Sequence, residues 1–235
     1  MTQSILFQHG TLAMLADGLF DGTITLKELL KKGDTGIGTA EGLDGELIIL
    51  NGIAYQAKAD GTVVQPDEDT LIPFANVHQW DPASEVDLNQ CSTSDIMGVI
   101  EAEHLTNTMV GLTVAGEFDM VKTRAVKKQN KPYPTLAKTA SEQAVFQKNS
   151  ISGMLVGYYT PGLYEGMGVK GLHLHFISED HQFGGHVLDF EVVSGELAYQ
   201  AFSDFQLHLP VDNKDFMTYE PTALDDVKAD IKQAE

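Results

Sequence analysis

One cysteine, Cys91, in 235 residues excludes an intrachain disulfide framework and any cysteine-built zinc motif. A lone cysteine of this kind reads as a small buried hydrophobe. Basic residues are scarce, with 15 Lys and Arg against 34 Asp and Glu and a formal net charge of −19. So acidic a surface repels nucleic acid and anionic lipid, and neither is expected as a partner. An anionic small molecule would need a local attractor, a metal or a placed arginine. No apolar run approaches the roughly 20 residues of a membrane span. Met1 to His9 lack a basic start followed by a long apolar segment, so no secretory signal is expected and the cytoplasm is the expected location. No internal repeat stands out, and no glycine-rich phosphate loop follows a strand-like run.

What is present is 43% hydrophobic residues, enough for a sizeable core. Residues 11–20 carry Leu12, Leu15, Ala16 and Leu19 on one helical stripe. Thr25 is placed to cap a helix over residues 26–32, and Ser92 to open another running to Leu105. Asn51-Gly52 and Asp60-Gly61, set between apolar runs, predict a three-stranded meander over residues 46–65. Its first strand is apolar on both faces and headed by Glu46, a carboxylate either at a solvated rim or buried with a partner. Residues 73–90 read as loop and edge. Strands are expected at 109–115 and 119–126 around a Gly116 turn, with Arg124 on the second. Ser141 to Gln147 reads as helical, Ile151 to Tyr159 as a strand, and Ala223 to Glu235 as a short amphipathic helix. Strands outnumber helices and short turns join them, which predicts an α+β fold with largely antiparallel sheets.

Four of the eight histidines fall between Gly171 and Phe190. His173 and His175 form an H-x-H pair on a strand-like run, so both project from one face. With Ser178 to Gly185 as the loop, Ile177 pairs with His186 and His175 with Leu188, which puts His186 on that same face. Three neutral nitrogen donors suit zinc and leave one coordination position open. His181 reads as an exposed loop residue. His9, His78, His104 and His208 have no companions at ligand spacing and read as structural or surface. Among the cations Arg124 is the one singled out, although from composition alone it reads as a surface or sheet-edge arginine, and the solitary contexts of Glu46 and Glu235 carry no functional signal. A histidine-bearing β-barrel of cupin-like dioxygenase or isomerase type and a non-catalytic metal-binding module also fit these residues.

Several runs in combination resemble the alpha-acetolactate decarboxylase family across nearly the whole chain. They are Asp17-Gly18-Leu19-Phe20-Asp21-Gly22, Gly36-Ile37-Gly38-Thr39, Leu43-Asp44-Gly45-Glu46, Thr123-Arg124-Ala125-Val126 with Gln129 and Pro132-Tyr133, and Gly171 to Ser178 with Gly184-Gly185-His186. Lys127 stands where the family pattern has proline. The resemblance implies zinc held by His173, His175 and His186, with Arg124, Glu46 and Glu235 as catalytic residues and Thr39 and Arg124 binding substrate. It implies two β-rich subdomains, residues 1–140 and 141–235, with the metal site between them, in a homodimer. The implied reaction is zinc-dependent decarboxylation of 2-acetolactate to acetoin and carbon dioxide through a metal-stabilised enediolate.

Overall fold

The structure, a computed structural model, describes residues 4–82 and 84–220. The helix expected at 223–235 and Glu235 lie outside the described residues. The N-terminal part contains β1 (Ile5–His9), α1 (Leu12–Ala16), β2 (Ile24–Thr25), α2 (Leu26–Leu29), β3 (Thr35–Thr39), β4 (Glu46–Leu50), β5 (Ile53–Ala57), β6 (Val63–Val64), β7 (Leu71–Ile72) and β8 (Phe74–His78). It is followed by β9 (Ser84–Cys91), α3 (Thr93–Ala102), β10 (Val110–Ala125), α4 (Leu136–Ala140), β11 (Ala144–Thr160), β12 (Gly171–Ser178), β13 (Gly184–Ala201), β14 (Asp204–His208) and α5 (Lys214–Met217).

The chain is α+β, as expected, with two large sheets and a few short helices. The first sheet has seven strands in the order β14-β1-β8-β3-β4-β5-β6, and its one parallel pairing, β1 with β14, makes it mixed. The second runs β10-β11-β12-β13-β9, and an additional β10–β13 pairing closes the first four into a ring. The meander forms as expected from β4, β5 and β6. Alternation along β4 turns Leu47 and Ile49 toward α2, where they pack with Leu26 and Leu29. Ile48 faces the second sheet, among Val156, Tyr158 and Ile177. The Thr25 and Ser92 capping boxes are both present.

Three local expectations are corrected. Gly116 makes no turn: β10 runs unbroken through it, opposite Gly153 of β11 and Gly195 of β13. A Cβ at Gly116 would strike the Ser194 carbonyl, so the glycine serves close strand approach within the ring. Residues 73–90 are not loop and edge throughout. β8 is wholly buried between β1 and β3, with Pro73 just ahead of it, and only β9 is an edge strand. The helix expected at 141–147 lies earlier, because Thr135 caps α4 and the chain re-enters a strand at Ala144.

Two histidines outside the hairpin are buried in the first sheet. The parallel pairing brings His9 beside His208, 2.8 Å between their Nδ1 atoms, while His9 Nε2 bonds the Thr23 hydroxyl. His78 lies against Tyr158, its Nδ1 2.9 Å from the hydroxyl. Burial depresses both pKa values to about 4, and His208 adds to the effect at His9. The unfolded chain therefore takes up protons near pH 6.5 that the folded chain refuses until about pH 4. Stability from this source is complete above about pH 6.5 and falls with acidification, on the order of 1 kcal/mol per pH unit for each histidine. Urea unfolding followed by circular dichroism should show the midpoint dropping between about pH 7 and about pH 5. A flat midpoint across that range would contradict the assignment.

Candidate active site

The site is built from two rows of side chains, one on each sheet. On the second sheet His175, His186 and Arg124 stand directly opposite one another across β12, β13 and β10. His173 lies two residues before His175 and shares its face. On the first sheet Phe74, Thr39 and Glu46 form the matching row across β8, β3 and β4. Glu46 lies on the same face as Ile48, which packs against the second sheet.

The hairpin register differs from the expected one by two residues. Ile177 pairs with Gly184 and His175 with His186, because the turn is tighter than an eight-residue loop. A two-residue shift preserves the face, so the convergence of the three histidines survives. The strand entry depends on Gly185, whose φ is +140° and where a Cβ would sit 2.6 Å from the Arg124 carbonyl. His186 can therefore lie against β10 only if its neighbour has no side chain. His181, as expected, is an exposed loop residue; its ring lies 4.4 Å from that of Tyr55.

The ligating atoms of His173, His175 and His186 lie within 4.8 Å of one another. His173 Nε2 and His186 Nδ1 are 3.1 Å apart. Two ligands of a tetrahedral zinc at 2.0–2.1 Å are separated by roughly 3.3 Å, so this spacing fits a common ion. His175 Nδ1 lies 2.8 Å from the Leu47 carbonyl, which can only accept. The proton of this ring is therefore on Nδ1, and the Nε2 lone pair points into the site. That lone pair faces Glu46 Oε2 at 3.5 Å, an arrangement relieved by a cation beside both. Burial, reinforced by the Arg124 charge, holds His173 down at about 3. Burial, together with Arg124 and the neighbouring imidazoles, likewise pushes His175 and His186 well below the usual histidine range. Neutral imidazoles are the form that binds a metal, and the donor set fits zinc.

Glu46 is buried with a partner. Arg124 Nη1 donates to its Oε1 at 3.1 Å, with side-chain exposures of 6% for Arg124 and 10% for Glu46. Thr39 Oγ1 donates to the Gly45 carbonyl at 2.7 Å, so toward the pocket it offers acceptor capacity. These six polar residues line a cavity of about 50 Å³. Leu12, Leu15, Leu43, Phe74, Val126 and Leu136 line it as well. Sequence reasoning had Leu12 and Leu15 on one helical stripe but missed Leu136, whose position follows from the Thr135 cap.

The alpha-acetolactate decarboxylase family model matches residues 6–221. The chain belongs to the alpha-acetolactate decarboxylase family. It is 38% identical over 236 residues to the alpha-acetolactate decarboxylase of Lactococcus lactis subsp. lactis (strain IL1403), covering 98% of each chain. A crystal structure of the Bacillus subtilis strain 168 alpha-acetolactate decarboxylase superposes with a TM-score of 0.94 at 32% identity, covering 99% of each chain. A Staphylococcus aureus protein described as similar to alpha-acetolactate decarboxylase gives 0.95 at 37% identity, covering 98% of this chain and 100% of its own. The chain is accordingly an enzyme of the carboxy-lyase class, and the cupin-like alternative is not favoured.

The buried ion pair makes a stability prediction. Glu46→Ala strips the Arg124 guanidinium of this counter-charge and should cost on the order of 3–5 kcal/mol. Glu46→Gln keeps an acceptor and should cost less. Denaturant unfolding of the two variants checks the order, and a native-like midpoint for Glu46→Ala would exclude the pair as a structural tie.

Proposed function

We propose that this enzyme decarboxylates 2-acetolactate to acetoin and carbon dioxide in the histidine–arginine cavity, with zinc as its resident ion. The observation that carries the reading is the placement of three neutral imidazoles beside a buried Arg124–Glu46 pair in one small cavity. The names of the family and of its relatives support the substrate.

His173, His175 and His186 would hold the zinc, and Leu47 fixes the orientation of His175 through its carbonyl. When bound, zinc supplies a Lewis acid for the negative charge that develops on the substrate's ketone and hydroxyl oxygens. Arg124 receives the substrate carboxylate, a local cation in a chain of net charge −19. Glu46 keeps the guanidinium in place from Nη1. Thr39, its own hydrogen committed to Gly45, accepts from the substrate hydroxyl. Loss of carbon dioxide leaves an electron pair on the hydroxyl-bearing carbon, delocalised into the ketone as an enediolate, and that carbon must then be protonated. Glu46 is the described carboxylate at this position, and Glu235 is a second proposed proton carrier. The apolar wall keeps water from the reacting carbon. The resemblance supports a homodimer. Among the described residues no helix is long and apolar enough to cross a membrane, and with the acidic surface this supports a cytoplasmic enzyme.

The enzyme incubated with racemic acetolactate should release carbon dioxide and yield acetoin of one handedness. A chelator should stop turnover and zinc should restore it, with about one zinc per chain by elemental analysis. His175→Ala should lose both metal and turnover; full activity in a metal-free His175→Ala protein would sink the zinc mechanism. Arg124→Lys should keep the zinc and lose on the order of a hundredfold in rate, because an ammonium cannot present a planar fork. Unchanged turnover would remove Arg124 from the mechanism.

A further inference from the structure

The cavity is lined by two unlike sets of residues, polar and apolar, and the reaction uses only the polar set. The carboxylate, ketone and hydroxyl of a 2-hydroxy-2-alkyl-3-oxo acid all belong with the polar residues. Its alkyl groups have only the apolar residues to meet. These six apolar residues are buried and form one core cluster together with Phe20, Ala140 and Val169.

Most of these positions are bound into the frame that carries the polar groups. Phe74 lies opposite Thr39 in the sheet. The Val126 carbonyl accepts from Gly45 N at 3.1 Å, one residue before Glu46. Leu43 sits at the same corner with φ +56°. Leu12 and Leu15 ride on α1, whose Leu12 N–H is tied to the Met167 carbonyl at 3.3 Å. Leu136 is different. It opens α4, a five-residue helix held by its own cap, with the Thr135 side chain accepting from Lys138 N and the Thr139 hydroxyl donating to the Thr135 carbonyl at 3.0 Å. Like α1, this helix stands outside both large sheets, but where α1 is tied to Met167 the backbone bonds described for α4 stay within residues 135–143, and the Leu136 side chain reaches the cavity.

We propose that Leu136 is the residue that sets the largest 2-alkyl group the active site accepts. The inference rests on the decarboxylase reading and adds a specificity determinant to it. A methyl-sized substituent fits beneath a leucine, and a longer chain must displace it. One methylene gained or lost against an apolar wall changes kcat/KM by about 10- to 200-fold. Shortening Leu136 therefore transfers room from the wall to the substrate without touching the histidines, Arg124, Glu46 or Thr39.

The test compares the native enzyme, Leu136→Val and Leu136→Ala, each as purified. Carbon dioxide release is measured with 2-acetolactate and with the homologue bearing n-propyl in place of the C2 methyl. Leu136→Ala should raise the propyl-to-methyl ratio of kcat/KM by at least about tenfold, and Leu136→Val should move it part of the way. Metal content per chain should match the native enzyme. Ratios within about twofold of native in both variants, with metal retained, overturn the proposal. So does an equal loss on both substrates, which would make Leu136 a support of the fold. A native enzyme that releases no carbon dioxide from acetolactate overturns the decarboxylase reading itself, and this proposal with it.

Discussion

The site depends on one contact across the seam between the two sheets, the ion pair of Arg124 on β10 with Glu46 on β4. Both groups are almost fully removed from water, so neither is tolerable alone. The pair can form only where the β10 terminus and the β4 start are brought together. Backbone bonds fix that approach: Gly45 N–H donates to Val126 O at 3.1 Å, and Gln129 N–H to Gly42 O at 2.7 Å. A third tie, from His175 Nδ1 to Leu47 O, reaches the same strand from β12. Electrostatic necessity and backbone hydrogen bonding thus specify the same relative placement of the sheets.

Much of the rest of the fold brings two side-chain rows face to face. Closure of β10, β11, β12 and β13 into a ring places an arginine strand next to a histidine strand, though Arg124 and His186 are far apart in sequence. Such closure leaves little room between strands. Gly116, Gly153 and Gly195 stand abreast at the ring's waist, and Gly185 stands where β13 meets β10. Side chains are given up where backbones must approach, and the polar groups are concentrated one or two residues away. The candidate site uses the same economy of position, since Gly184 and Gly185 precede His186 and Gly45 precedes Glu46.

What could be read in the sequence was set by the range of the interactions. The Thr25 and Ser92 caps, the meander turns and the shared face of His173 and His175 are decided within a few residues, and all are present. The family resemblance named residues that the structure does bring together: Thr39, Glu46, Arg124 and the three histidines. The central position of β8 was not legible, because burial between β1 and β3 is a tertiary fact that Pro73 and the polar residues nearby obscure. Gly116 misled for a related reason. In one dimension a glycine among apolar residues looks like a turn, and only the glycines on the two neighbouring strands show that it is a point of close packing. The His9–His208 contact likewise depends on a parallel pairing of strands from opposite ends of the described chain.

The hairpin shows why a wrong register still led to the right face. The expected pairing put His175 opposite Leu188, two residues from its observed partner His186. Side chains alternate with a period of two, so any even error leaves the three imidazoles converging, while an odd error would have turned His186 away. The parity was fixed by local pattern: Val187 packs against the ring core, whereas His186 beside it turns to the opposite face. The residue count of the turn was fixed by something the pattern does not contain. Ser178 folds back on its own turn, its hydroxyl accepting from Phe183 N at 2.9 Å and donating to Asp180 Oδ1 at 2.6 Å, and this draws the strands together after only five intervening residues. Binary patterning therefore chose the face of the three convergent histidines, and side-chain chemistry in the turn chose the rung that His186 shares with Arg124.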